Sequence, residues 1–303
     1  MKSKFLVLLA AYNGMKWLEE QVESILNQKD VLVTLLISVD GSSDGSEEWV
    51  STLSENNPNV RYLTHGGSFG GAARNFFRLV NEAPLETFDY FSFADQDDIW
   101  LPEKLSQASR LMTAEAADGY SGNVTAFWPD GRETLIEKSQ PQVTFDHLFE
   151  SAGPGCTFVF SRELFTDFQA HITGHFEEIQ NVSLHDWYAY AFSRAQGYKW
   201  VIDSRPFMRY RQHGNNQFGA NTGIAALKSR LSKVCDGWWL SQSALISKLV
   251  GLESDPFVRR WISLSRGGML FLALNGRKCR RRPRDKLVFS ALCLLLAVLT
   301  RKK

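Results

Sequence analysis

Four apolar runs, at residues 5–11, 31–39, 59–64 and 88–94, alternate with four stretches of helical periodicity, at 15–27, 45–55, 71–82 and 102–115. Strand and helix patterns that take turns in this way specify a mostly parallel sheet covered by helices on both faces. Few other architectures accept that order. In such sheets ligands gather outside the carboxyl ends of the strands, and each run here ends in polar punctuation. Tyr12-Asn13-Gly14 follows the first, Asp40-Gly41-Ser42-Ser43-Asp44-Gly45 the second, His65-Gly66-Gly67 the third and Asp95-Gln96-Asp97-Asp98 the fourth. The strand ends therefore converge on one acidic, glycine-rich rim.

Carboxylates held this close repel one another and raise one another's pKa. A hard divalent cation, Mg2+ or Mn2+, removes that cost and binds phosphate oxygens at the same time. The alternative is that Asp95, Asp97 and Asp98 only cap the helix that begins near Pro102. Their place at the end of a buried central strand, with Asp40 ending its neighbour, favours a metal-bound diphosphate.

The segments "AAYNGMKWLEEQVESILNQ", "ISVDGSSDGS", "GGAARNFFRL" and "FADQDDIWLPEKL", in this order and spacing, resemble the family 2 glycosyltransferases of GT-A fold. "DQDDIW" resembles the bacterial branch that includes rhamnosyltransferases of surface polysaccharide and lipopolysaccharide synthesis. The resemblance runs over residues 3–215 and implies a nucleotide-diphospho-sugar transferase. It implies that Tyr12, Asn13 and Asp40 line the nucleotide pocket, with Asp40 toward the base. Asp95 and Asp97 match the two acids of the DxD motif, the first near the ribose and the second on the metal, with Asp98 as a further ligand. Arg74 and Asn75 match a pattern that closes over the donor.

An inverting transfer also needs a carboxylate to take the proton of the attacking acceptor hydroxyl. "SLHDWYAY", residues 183–190, resembles the family's Glu-Asp motif, with His185 in place of the glutamate and Asp186 as the base. Ser183 to Asp186 also fits a helix capping box, so both readings stand at this level. Gly153 and Gly155, around Pro154, allow close backbone approach to an acceptor, or make a plain tight turn, ahead of a strand in "CTFVF". Beyond a short strand, "RYRQHGNNQFG" resembles the family's loop that folds over the diphosphate, which implies Arg211 for phosphate and His213 for the metal, with Asn215 and Asn216 after them. "HITGH" lacks the glutamate of a zinc-binding HExxH, and "GGSFGG" lacks the Lys-Ser/Thr of a phosphate-binding loop.

Composition bounds what remains. The net charge is +1 over 303 residues, but residues 277–303 hold ten Lys/Arg against Asp285 alone, leaving the rest of the chain near −8. That asymmetry disfavours binding of nucleic acid along the whole chain and points to an anionic membrane surface as partner of the tail. Four cysteines without a paired motif fit a reducing compartment. The start, "MKSKFLVLLAAYNG", imitates a signal peptide but is expected to be the first core strand. The apolar stretch Leu287–Leu299 falls short of the roughly 20 residues of a membrane span, which leaves a helix on the membrane surface or one packed on the core.

The expected organisation is a catalytic domain over 1–220 and a helical region over 221–303. The expected activity is inverting transfer of a sugar, L-rhamnose from dTDP-L-rhamnose by the branch resemblance, to a hydroxyl of a lipid-linked or lipopolysaccharide saccharide. The enzyme is expected in the cytoplasm, peripheral on the inner face of the membrane. A catalytically silent sugar-nucleotide-binding partner of the same fold is the alternative.

Overall fold

The computed structural model describes residues 2–64, 67–85, 87–213 and 237–299. Asn215, Asn216, Cys235, His65, Gly66 and Arg301-Lys302-Lys303 lie outside the described residues. The chain divides into two compact units. The first gathers the described residues of 1–139, 152–186 and 197–219, and the second those of 140–151, 187–196 and 220–303.

In the first unit β1 (Ser3–Ala11) runs through the centre of the sheet, and its last seven residues are all buried. A strand covered on both faces has no polar side, which explains the unbroken apolar run. The remaining alternating elements are α1 (Met15–Leu26), β2 (Val31–Val39), α2 (Ser46–Asn56), β3 (Val60–Tyr62), α3 (Ala72–Glu82) and β4 (Tyr90–Asp95). They follow the sequence expectation within a residue or two, except that the third strand keeps only three residues. After them come β5 (Ile99–Trp100), α4 (Lys104–Glu115), β6 (Gly119–Gly122), β7 (Val124–Phe127) and β8 (Glu133–Ile136). The order continues with β9 (Val159–Ser161), α5 (Arg162–Gly174), α6 (Phe176–Ile179), α7 (His185–Ala195), β10 (Trp200–Asp203) and β11 (Met208–Arg211).

Seven strands form the main sheet in the order β10-β6-β9-β4-β1-β2-β3. Both neighbours of β1 are parallel to it, with Ala10 opposite Asp95 and Ala11 opposite Val39, so Tyr12, Asp40 and Gln96 emerge at the same edge. β9 is antiparallel to β4 and β6. It is shorter than the expected strand in "CTFVF", because Gly155–Thr157 forms a 3-10 turn first.

A second sheet, in the order β5-β11-β7-β8, has no counterpart in the sequence reading. It decides where the late residues of the chain go. β5 starts directly after Asp98 and pairs antiparallel with β11, Ile99 opposite Arg209, which delivers Arg211 to the acidic turn.

The second unit is helical. It takes α7 from Trp187 onward and adds α8 (Trp238–Leu249), α9 (Arg266–Leu274), α10 (Gly276–Cys279) and α11 (Pro283–Leu299). Trp261 is fully buried and packs on Phe149 at a ring separation of 5.0 Å, so this tryptophan is core rather than interfacial. Asp146, also fully buried, accepts from Tyr190 Oη at 2.9 Å and lies 3.3 Å from both Arg194 and Arg281. Arg281 further donates to the Ser151 carbonyl at 2.8 Å, and Arg280 pairs with Glu150 at 3.5 Å. Two arginines of the basic run thus turn inward, and its charge is smaller at the surface than the sequence suggests.

Candidate active site

The rim is stitched together by side chains acting on the main chain. Gln96 receives the Tyr12 amide at 2.7 Å and returns a bond to the Tyr12 carbonyl at 3.0 Å. Gly14 follows because a Cβ there would collide with the Gln96 carboxamide. Asn13 takes a positive φ of 46° and accepts from the Ser43 amide at 2.8 Å, while its own amide donates to Ser42 Oγ at 2.9 Å. Asn is among the few side chains that tolerate that conformation. The tyrosine ring of Tyr12 is left largely open, at 56% exposure.

Asp40 is buried, and its carboxylate accepts from the amides of Gly41 at 2.9 Å, Phe69 at 2.6 Å, Gly70 at 3.0 Å and Gly71 at 3.4 Å. Burial alone would raise its pKa. The bonds from Phe69, Ser68, Gly41 and Gly70 outweigh it and hold the carboxyl below its usual range. Asp40 therefore shapes the glycine loop ahead of α3, where Gly70 has a φ of 75°. Within α3, Asn75 donates to the carbonyls of Ser38 at 3.0 Å and Ala11 at 3.4 Å, bracing the ends of β1 and β2. Arg74 donates to the Gln180 carbonyl at 3.2 Å and to that of Phe69 at 3.4 Å. The buried Arg78, which the sequence reading passed over, holds the carbonyls of Leu63 and Thr64.

At the acidic turn, Asp97 meets His213 Nε2 at 2.6 Å, and the imidazole stacks on Trp17 with ring centres 4.3 Å apart. Arg211 donates its amide to Asp98 at 3.1 Å, its Nε to the Asp97 carbonyl at 2.8 Å and its terminal nitrogen to Glu20 at 2.5 Å. Arg211 thus braces the turn from behind. Asp95, Asp98 and Cys156 each place one donor atom within 4.8 Å of the others. Burial, together with Asp97 and Asp186, pushes the Asp95 carboxyl up to about 7, against an opposing bond from Cys156. Burial, Asp97 and Asp95 push Asp98 well above its usual range, and one of its buried oxygens has no hydrogen-bond partner. Lys104 lies behind them, 3.4 Å over the Trp100 ring, with burial lowering its pKa to about 7.

These observations fit a divalent cation. Hard carboxylate oxygens, one of them unpartnered, crowd into a small space where their own charges are disfavoured. The Cys156 thiol is the soft member of the group and suits Mg2+ or Mn2+ less.

The start of α7 carries the His185-Asp186 pair. His185 stacks on Phe76 at 3.8 Å and meets Phe93 edge-on at 5.4 Å. Burial lowers its pKa to about 3, so the ring is neutral, and its Nε2 has no hydrogen-bond partner. A Cβ on Gly155 would lie 2.6 Å from that nitrogen and 3.1 Å from the Asp186 Cβ. Gly155 is thus required by close packing against the His185-Asp186 pair. Asp186 in turn raises the Asp95 carboxyl, which puts the proposed base in electrostatic reach of the acidic turn.

The fold therefore gathers Asp95, Asp97, Asp98, Asp186, His185, Gly155, Arg211 and His213 about the acidic turn. Tyr12, Asn13, Asp40, Arg74 and Asn75 shape the adjoining loops. Sequence reasoning missed Gln96, Cys156, Trp17 and Lys104. Nothing in local pattern marks the first three, whose partners Tyr12, Asp95 and His213 are 84, 61 and 196 positions away in the chain, and Lys104 covers the Trp100 ring only four positions before it.

The sequence model of the family described as "Glycosyl transferase family 2" matches residues 6–167. The chain belongs to glycosyl transferase family 2. It is 40% identical over 291 residues to the dTDP-rhamnosyl transferase RfbG of Shigella flexneri, an alignment that covers 96% of this chain and all of that protein. It is 25% identical over 166 residues to an Escherichia coli protein, UDP-Glc:alpha-D-GlcNAc-diphosphoundecaprenol beta-1,3-glucosyltransferase WfgD, covering 54% of this chain and 62% of the other. Residues 1–349 of S. aureus TarS, solved in complex with UDP-GlcNAc, share the fold at a TM-score of 0.56 and 14% identity, covering 98% of this chain and 87% of that one. This glycosyltransferase has the GT-A arrangement, a mostly parallel central sheet flanked by helices, with a helical C-terminal region.

Proposed function

We propose that this family member is an inverting rhamnosyltransferase that moves L-rhamnose from dTDP-L-rhamnose to a hydroxyl of a saccharide acceptor in bacterial surface polysaccharide synthesis. The observation that carries the donor is the full-length similarity to a dTDP-rhamnosyl transferase. The chemistry is supported by an acidic turn of Asp95, Asp97 and Asp98 at the end of β4, with a further carboxylate, Asp186, in electrostatic reach of it.

Each residue then has a task. The exposed ring of Tyr12 offers a face to the base, and the loop organised by Asp40 and Asn13 borders the same pocket. Asp95 is assigned to a ribose hydroxyl, which would donate to it. Asp97, Asp98 and His213 would hold Mn2+ or Mg2+, which supplies positive charge to the departing diphosphate. Arg74, in the first turn of α3, and Arg211, at the end of β11, are assigned to the diphosphate, and Asn75 fixes the strand ends. Asp186 accepts the proton of the acceptor hydroxyl as oxygen attacks the anomeric carbon from the face opposite the diphosphate. The neutral, stacked His185 and the close turn at Gly155 hold Asp186 in place and border the acceptor.

An acceptor carried on a lipid, as the name of the Escherichia coli relative describes for that protein, would place the enzyme in the cytoplasm at the inner face of the membrane. The test of the function is calorimetric titration with dTDP-rhamnose, UDP-glucose, UDP-N-acetylglucosamine and GDP-mannose, each with Mn2+ and with EDTA. Binding of dTDP-rhamnose alone, abolished by EDTA and by Asp97→Ala, is expected. Asp186→Ala should bind the donor normally and lose transfer by about a thousandfold or more. Preference for another nucleotide, or an Asp186→Ala enzyme with normal turnover, overturns the corresponding part.

A further inference from the structure

The C-terminal helix α11 has two faces, and only one is covered. Phe289, Cys293, Leu296 and Ala297 are buried within the helical unit, whereas Leu287, Val288, Leu294, Leu295, Val298 and Leu299 are exposed, with Leu287 at 75% and Val298 at 74%. Positions 287, 288, 291, 294, 295 and 298 follow the i, i+3, i+4, i+7 spacing of one helix face. α9 packs against α11 and adds Leu270 and, at 86% exposure, Leu274. Eight of the thirteen exposed large apolar side chains among the described residues therefore belong to two adjoining helices. A soluble surface rarely concentrates them so.

The charges around this face are of one sign. Arg266, Arg277, Lys278 and Arg284 are exposed, and the one acid of the stretch, Asp285, is paired with Arg280 at 3.8 Å and Arg284 at 3.3 Å. The sequence continues past the helix with Arg301-Lys302-Lys303. No described helix is long and apolar enough to cross a membrane. An apolar stripe bordered by cations on a helix too short to span is the combination that seats a helix flat in the headgroup region of an anionic bilayer.

We propose that the exposed face of α11, with Leu270 and Leu274 of α9, is a docking surface for anionic phospholipid. The helix is held to its own unit by the inner face while the outer face enters the headgroup layer. The inference rests on the proposed membrane-side function for its purpose, though not for its chemistry. It combines the two expectations for this helix, one face packed on the core of its unit and the other left for the membrane surface. Arg280 and Arg281 serve the interior, and the apolar stripe supplies the adhesion.

The full chain is tested by cosedimentation with vesicles of phosphatidylcholine alone and of equal parts phosphatidylcholine and phosphatidylglycerol. Binding is expected only to the anionic vesicles. Leu287→Glu with Leu295→Glu, both at exposed positions, should weaken it by about tenfold or more. Arg277→Glu with Arg284→Glu should weaken it by a similar factor, through loss of attraction and added repulsion. Sedimentation velocity without lipid reports the rival occupant, a second copy of the chain. A dimer dissociated by the leucine pair, with no vesicle binding, overturns the proposal, as does vesicle binding indifferent to that pair. Donor binding, measured on the same preparations without lipid, separates the two readings. If it survives while vesicle binding is absent, only the docking surface is refuted; if it is absent throughout, the transferase reading falls by itself.

Discussion

Replacing Asp95 by asparagine should make the metal-free protein more stable and useless for catalysis. The Asp95 carboxyl is pushed from its ordinary 3.8 up to about 7, first by burial and then by Asp97 and Asp186. An acid whose folded pKa is raised holds its proton more tightly in the native state than in the unfolded one. Stability is then undiminished below about pH 4, falls as pH rises toward about 7, and carries the full penalty above it. A shift of about three units at about 1.4 kcal/mol per unit sets an upper bound near 4 kcal/mol. Because the neighbouring acids share protons with Asp95, about 2–4 kcal/mol is the expected gain for Asp95→Asn at pH 8. Denaturant unfolding in EDTA reads it directly. The variant should exceed the parent at pH 8 and approach it at about pH 5, and Mn2+ should close the gap by stabilising the parent. A variant no more stable than the parent at pH 8, or a difference that ignores pH, would refute the argument that the acidic turn is a strained, cation-seeking site.

Gly155→Ala should slow transfer by about tenfold to a hundredfold while leaving donor affinity unchanged, since the added methyl displaces the His185-Asp186 pair rather than the loops of Tyr12 and Asp40. Steady-state kinetics separate the two effects, and an unchanged kcat counts against the tight packing at this turn. Arg281→Met leaves Asp146 short of one of its buried partners and should cost about 3–5 kcal/mol. A lowered denaturant midpoint with donor binding retained under native conditions is the expected pattern.

The main sheet was legible because its strands carry their own signal: a doubly covered strand such as β1 has to be apolar from end to end, and its helices show the complementary periodicity. The acidic turn was legible for the opposite reason, being charge where burial was expected. The second sheet left no such trace. β5 has two residues and β11 has four, too few to show a period, yet their pairing carries Arg211 and His213 to Asp97. Cys156 and Lys104 read as ordinary core and surface residues until the fold sets them behind the carboxylates. The basic tail misled in degree, because a sequence shows charges but not which of them face Asp146.

The reciprocal bonds between Gln96 and the Tyr12 backbone have a meaning beyond local order. The carboxamide does what a peptide group of an adjacent strand would do, so the ladder between β1 and β4 gains one more rung, made by a side chain. That rung can turn about its own single bonds, whereas a strand cannot. The residue between Asp95 and Asp97 is in this chain a removable latch, and shortening it to asparagine would uncouple the acidic turn from the Tyr12-Asn13 loop while every strand stayed in register.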